Sequence, residues 1–117
     1  MRIFLFDWDE ESARGRAAAL APEGFKVELE SRDGGSGVRA VLACPPDVIV
    51  LSLEKRPSHS RETAGGIRGY KAGRAVPMLF VGGAAADIKK TKARVPGAMF
   101  VAPERLLAAL QALRDSP

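Results

Sequence analysis

The sequence predicts a doubly wound α/β domain, in which five parallel strands alternate with five helices. Three observations carry this. Short apolar runs recur at residues 2–7, 25–30, 46–53, 76–81 and 98–101, each too short for a helix. Segments with apolar residues at helical spacing separate them, which is the alternation of crossover-connected parallel strands. The most apolar run, Pro46-Asp47-Val48-Ile49-Val50-Leu51-Ser52-Leu53, carries four branched apolar residues in a row. It reads as a strand buried on both faces in the middle of the sheet. Its carboxyl end is Ser52, and in open parallel sheets chemistry collects at that end.

Taken in order, Arg2-Ile3-Phe4-Leu5-Phe6-Asp7 reads as a first, central strand ending in an acid. Asp9 is placed to cap the next helix, with Glu10 and Glu11 against its positive end. Ala13, Ala17 and Leu20 make one apolar face, and Pro22 and Gly24 stop the helix. Residues 25–30 alternate strictly, as a half-exposed edge strand does. Asp33-Gly34-Gly35 reads as a loop, followed by a short helix with Val38, Val41 and Leu42 inward that ends before Pro45-Pro46. After the central strand, residues 54–60 form a polar loop in which Ser58 or Ser60 caps a third helix. Ala64, Ile67 and Tyr70 are its apolar side, and Gly65, Gly66 and Gly69 each weaken it by roughly 1 kcal/mol relative to Ala. Residues 76–81 are the fourth strand, with Pro77 near its start, where proline is tolerated. Gly82-Gly83 turns sharply into a fourth helix at 84–94, ended by Pro96-Gly97. After the fifth strand, Pro103 takes the first position of a last helix whose inward residues are Leu106, Leu110 and Leu113.

A length of 117 residues fits one domain, 1–117, and an apolar content of 46% supplies a core. No apolar run is long enough to span a bilayer, and Met1 leads into strand residues rather than a leader, so a cytoplasmic location is expected. The single cysteine, Cys44, excludes an internal disulfide and a thiolate metal cage, and is expected to be a small buried residue at a helix end. A net charge of +4 permits nucleic-acid contact without requiring it.

The element order, the element lengths and the Asp47-x-x-x-x-Ser52 spacing resemble the receiver domains of bacterial response regulators, the single-domain chemotaxis type being nearest in length. The resemblance covers the whole chain. It implies a flavodoxin-like sheet of order 2-1-3-4-5, and a pocket built from an acidic pair, a phospho-accepting Asp, a hydroxyl and a Lys. At the matching positions this chain has Asp7 with Trp8 and then Asp9, Ser52 at the acceptor, Gly82 at the hydroxyl and Ala102 at the Lys, followed by the expected Pro103. The resemblance also implies a cis Ala102–Pro103 bond. Aspartyl phosphorylation needs a carboxylate nucleophile, Mg²⁺ on several carboxylate oxygens, and a cation and a hydroxyl on the phosphoryl oxygens. Only the acidic part remains. The chain is expected to be a degenerate pseudo-receiver without that chemistry, needing no cofactor, with Asp7 and Asp9 at best a weak Mg²⁺ site. Glu54, two residues past Ser52, could lean over the same pocket. Trp8 could cover or fill it, or could simply cap the sheet edge.

Other polar groups have a sharp and a bland reading. Ser58-His59-Ser60-Arg61-Glu62 could be a ligand or partner loop, in which His59 titrates near neutral pH and Arg61 holds an anion. The preferred reading is a capped helix start with Glu62 at its positive end. Adjacent Ser58 and His59 do not make a hydrolase, since no G-x-S-x-G elbow is present. Gly82-Gly83 lacks the partners of a phosphate loop. Lys89, Lys90, Lys92 and Arg94 form a basic run on the fourth helix, joined by Arg68, Lys71 and Arg74 near the end of the third. No aromatic interleaving supports base stacking, so nucleic acid is not the expected partner. The family resemblance places the partner or homodimer face on the fourth helix, the fifth strand with Phe100, and the fifth helix.

The function expected is a phosphorylation-independent protein-interaction module in a two-component-type pathway, with a kinase, effector or other signalling protein as partner. Two alternatives stay open: a small-ligand or anion-binding domain using Asp7, Ser52, His59 and Gly82, and a residual phosphorylation-dependent regulator. No acid/base pair or nucleophile–base arrangement points to an enzyme.

Overall fold

The computed structural model describes residues 1–116. Five strands, β1 (Arg2–Phe6), β2 (Lys26–Glu30), β3 (Val48–Ser52), β4 (Met78–Val81) and β5 (Met99–Val101), form one sheet of order β2-β1-β3-β4-β5. All four pairings are parallel. This is the flavodoxin-like, doubly wound order, with β1 and β3 central and β2 at an edge. The helices are α1 (Glu10–Leu20), α2 (Gly34–Ala43), α3 (Pro57–Arg68), α4 (Lys71–Arg74), α5 (Ala85–Arg94) and α6 (Leu106–Asp115).

The pleat assigns the central residues to two cores, because successive strand side chains face opposite ways. Phe4, Phe6, Ile49, Leu51, Met78 and Phe80 face a layer that supplies Val41 of α2, Ala64 and Ile67 of α3 and Ile88 of α5. Ile3, Leu5, Val48, Val50, Leu79 and Val81 face Ala13 and Leu20 of α1 and Leu106 and Leu110 of α6. β3 is buried along its whole length. The same parity decides the candidate site. Asp7 and Ser52 continue the α1/α6 side of their strands, while Trp8 and Leu53 continue the other and join the α2/α3 core.

Several local expectations give way to local geometry. The six helices exceed the five predicted because one turn, α4, forms between α3 and β4. Arg68 closes it by donating to the carbonyls of Gly73 at 2.6 Å and Val76 at 2.7 Å. Gly73 is required there, since a Cβ would run into the Ile67 carbonyl. Tyr70 is therefore exposed (56%) at the α3–α4 junction and is not part of the apolar side of α3. Gly34 and Gly35 open α2 rather than forming a loop, with Asp33 as the cap accepting from the Ser36 N–H at 3.2 Å. Neither Ser58 nor Ser60 caps α3. Pro57 already occupies its first turn, and Arg56, in the left-handed region at φ 48°, precedes it. Cys44 is exposed rather than buried, because it follows the last turn of α2 at the surface. Pro103 opens a 3₁₀ turn, Pro103–Arg105, that leads into α6.

Candidate functional site at the strand ends

The acidic site is built on the loop after β1. Asp7, 1% exposed, accepts from the Asp9 N–H at 3.1 Å through Oδ1, and from Ser12 Oγ at 2.8 Å and Arg16 Nη1 at 2.6 Å through Oδ2. The second prong of the Arg16 guanidinium reaches Glu54 Oε1. One cation thus bridges a buried carboxylate after β1 and a carboxylate after β3. Arg16 escaped the sequence reading although its signal was present. Its position is i+3 from Ala13 and i−4 from Leu20, so it lies on the inward stripe of α1. Asp9 precedes α1 as expected, but its side chain makes no capping bond and pairs instead with Lys55 Nζ at 2.9 Å. The Lys55 ammonium, as hydrogen-bond partner and as charge, lowers the Asp9 pKa, and Asp9 raises that of Lys55.

Ser52, also 1% exposed, is held at the strand end by two hydrogen bonds. Its Oγ accepts from the Glu54 N–H at 3.2 Å, and its carbonyl accepts from Ser60 Oγ at 2.6 Å. Glu54 does lean over the pocket. It lies against Gly82, where a Cβ would collide with the Glu54 side chain, and Gly82 and Gly83 take φ of 72° and 97°. A hydroxyl-bearing residue at 82 would meet both the contact and the backbone strain.

Ala102 carries no functional group, and its bond to Pro103 is trans, against the cis bond expected from the resemblance. Ala102 is extended (φ −69°, ψ 152°), and its carbonyl accepts from the Arg105 N–H at 2.9 Å. With no Lys to aim, nothing offsets the trans preference of an X–Pro bond, about 0.5–1 kcal/mol.

The carboxylates that a Mg²⁺ ion would use are engaged by the chain's own cations. That ion needs near-octahedral oxygen ligation. Here Asp7 and Glu54 are taken by Arg16, and Asp9 by Lys55. Among the described residues no group of three or more His, Cys, Asp and Glu could hold a metal ion.

Trp8 does not fill the acidic pocket. It packs on the opposite side of the sheet, where its Nε1 donates to Ser60 Oγ at 2.8 Å and its ring lies 4.0 Å from that of His59, centroid to centroid. His59 therefore belongs to the α2/α3 side, packed beside Gly34, and does not join Asp7, Ser52 and Gly82 in an anion site. Burial, and then the Arg56 charge, lower the His59 pKa, with Asp33 opposing them. A histidine depressed in the folded state contributes stability that is full above its unfolded pKa and is lost as pH falls through that value toward the folded one. Thermal stability should therefore rise from pH 5 to pH 7, and His59→Gln should remove that rise. An unchanged pH profile in that variant would show that His59 is not the group responsible.

Arg61 holds Asp87 at 3.3 Å across α3 and α5, while Ser58 and Glu62 are exposed. On α5, Lys89 and Lys90 are exposed, Lys92 lies 5.5 Å over the Phe100 ring, and Arg94 lies across Gly65 of α3. Phe100 stacks on Phe80. A cleft of about 510 Å³ opens beside them, lined by Glu54, Gly83, Ile88, Lys92, Phe100 and Pro103 among others.

No protein-family model and no curated protein sequence matches the chain. Solved structures do. The chemotaxis protein CheY4 of Vibrio cholerae superposes with a TM-score of 0.80 at 19% identity, over 96% of this chain and 97% of that one. The receiver domain of a Pseudomonas aeruginosa sensor histidine kinase, solved with magnesium in its active site cleft, gives 0.77 at 21% identity over 96% and 92%. The structure of the histidine kinase ThkA in complex with the response regulator TrrA gives 0.74 at 17% identity over 96% and 97%. With the observed strand order, these likenesses establish that the chain carries the fold of response-regulator receiver domains.

Proposed function

We propose that the chain is a pseudo-receiver: a non-enzymatic interaction module of a two-component-type pathway, acting in the cytoplasm without phosphorylation. The observation that carries this reading is Ser52. At the end of the central strand, where the fold would present its phospho-acceptor, there is a buried hydroxyl, whose oxygen accepts the Glu54 N–H, and no carboxylate. A hydroxyl with no base beside it is a weak nucleophile. The surface best suited to a partner is α5, β5 and α6. There the apolar cleft at Ile88 and Phe100 is edged by Lys92, with Lys89 and Lys90 beyond it. That chemistry fits an acidic protein segment with an apolar anchor. The kinase–regulator pair among the structural relatives supports a protein partner of that general kind. Among the described residues no helix is long and apolar enough to cross a membrane.

The test is a backbone amide NMR titration with Mg²⁺ and then beryllofluoride, an acyl-phosphate mimic. The expected result is unchanged resonances at Asp7, Ser52 and Gly82. Saturable shifts that spread into α5 would overturn the reading and restore a phosphorylation-type switch.

A further inference from the structure

We infer that Arg16 is a resident cation, standing where a divalent ion would have to sit and making the strand end indifferent to such ions. Asp7 is buried, and a buried carboxylate needs a compensating charge. Arg16 supplies it with a two-pronged fork, one nitrogen on Asp7 and the other on Glu54. The planar guanidinium fork matches carboxylate geometry, so one side chain can serve both partners. It is also tethered: Ala13 and Leu20, on the same stripe of α1, are buried in the α1/α6 core and fix the helix that presents it. A tethered ligand competes at high effective concentration against an ion that sheds its water reluctantly. Lys55 likewise engages Asp9. The occupant has a structural consequence as well. By holding Glu54, Arg16 keeps that side chain against Gly82, at the turn that leads into α5.

If the guanidinium is taken away, the carboxylates of Asp7 and Glu54 and the Ser12 hydroxyl become a hard-oxygen set of the kind Mg²⁺ and Mn²⁺ prefer. The experiment uses the full chain and Arg16→Met, which keeps an unbranched apolar stem, titrated with Mg²⁺ by amide NMR and with Mn²⁺ for paramagnetic broadening. The wild-type chain should remain flat. Arg16→Met should show saturable shifts at Asp7, Ser12, Glu54 and Gly82, with affinity at least about tenfold above wild type, and its thermal midpoint should rise with Mg²⁺. Adding Glu54→Gln should abolish both effects, and Arg16→Lys, which keeps a tethered charge, should stay blind. A folded Arg16→Met chain that ignores both ions overturns the inference. So does an unfolded one that Mg²⁺ fails to refold, or a wild-type chain that binds Mg²⁺. Beryllofluoride binding to the wild type with no change in Arg16→Met would instead strike the pseudo-receiver reading alone.

Discussion

Ser52→Asp should destabilise the chain by about 3–5 kcal/mol at pH 7 and should not create a phosphorylatable site. The substitution restores, on paper, the carboxylate that the receiver fold usually carries at this strand end. Its environment in this chain does not accept it. Ser52 is buried, and its hydroxyl accepts the Glu54 N–H. Asp7, equally buried, lies at the end of the neighbouring strand on the same side of the sheet, since the β1–β3 register pairs Phe6 with Leu51 immediately before them. Two carboxylates would share one cation, Arg16, whose second prong is already on Glu54. Like charges and burial both raise the pKa of the introduced carboxyl above its unfolded value. The electrostatic part of the loss is then full above the folded pKa and fades as pH falls through it. Urea denaturation at pH 5 and pH 7 checks this: the deficit against wild type should narrow at the lower pH, and Ser52→Ala should lose only about 1 kcal/mol. A Ser52→Asp chain as stable as wild type, or one labelled by a small phosphodonor, would refute the argument.

What could be read in the sequence follows a physical division. The strands were legible because β1, β3 and β4 are buried on both faces, which forces uninterrupted apolar runs such as Val48-Ile49-Val50-Leu51. The edge strand was legible for the opposite reason, although Leu29 proved exposed, since an edge strand has little layer above it. Helix starts were less legible. The αL residue Arg56 and the first-turn proline set the start of α3 three residues before Ser60, and nothing about an arginine announces a left-handed conformation. The chemistry of the site divided in the same way. Ser52, Gly82 and Ala102 are identities at strand ends and can be read once the strands are placed. Arg16 lies on a helix, and its pairing depends on two carboxylates 9 and 38 residues away in the chain. Periodicity is enough to place Arg16 near the inward stripe, a signal the sequence reading did not use, and only the folded arrangement shows that the inward face there is acidic. Trp8 is the converse case. Adjacency to Asp7 suggested one pocket, and the pleat sends neighbouring residues to opposite sides.

Trp8→Ala is the second large effect, at about 3–5 kcal/mol, the range for truncating a buried aromatic side chain. The indole is 8% exposed, lies 5.9 Å from the Phe6 ring and 4.0 Å from His59, and is part of the α2/α3 core. Trp8→Phe keeps an aromatic ring there and should lose much less. Its deficit includes the hydrogen bond to Ser60 Oγ, whose coupling, measured in a double-mutant cycle with Ser60→Ala, should be about 1 kcal/mol. That coupling bears on function through a relay. Trp8 donates to Ser60, and Ser60 donates to the Ser52 carbonyl. The first turn of α3 is thereby fastened to the end of β3 from one side of the sheet, while Arg16 fastens Glu54 from the other. The connection from β3 to α3, which would have to yield for a ligand to reach Ser52, is held at both ends by groups of the chain itself. A Trp8→Ala loss under roughly 1 kcal/mol would mean that this fastening is weak, and that the strand end is more accessible than its burial implies.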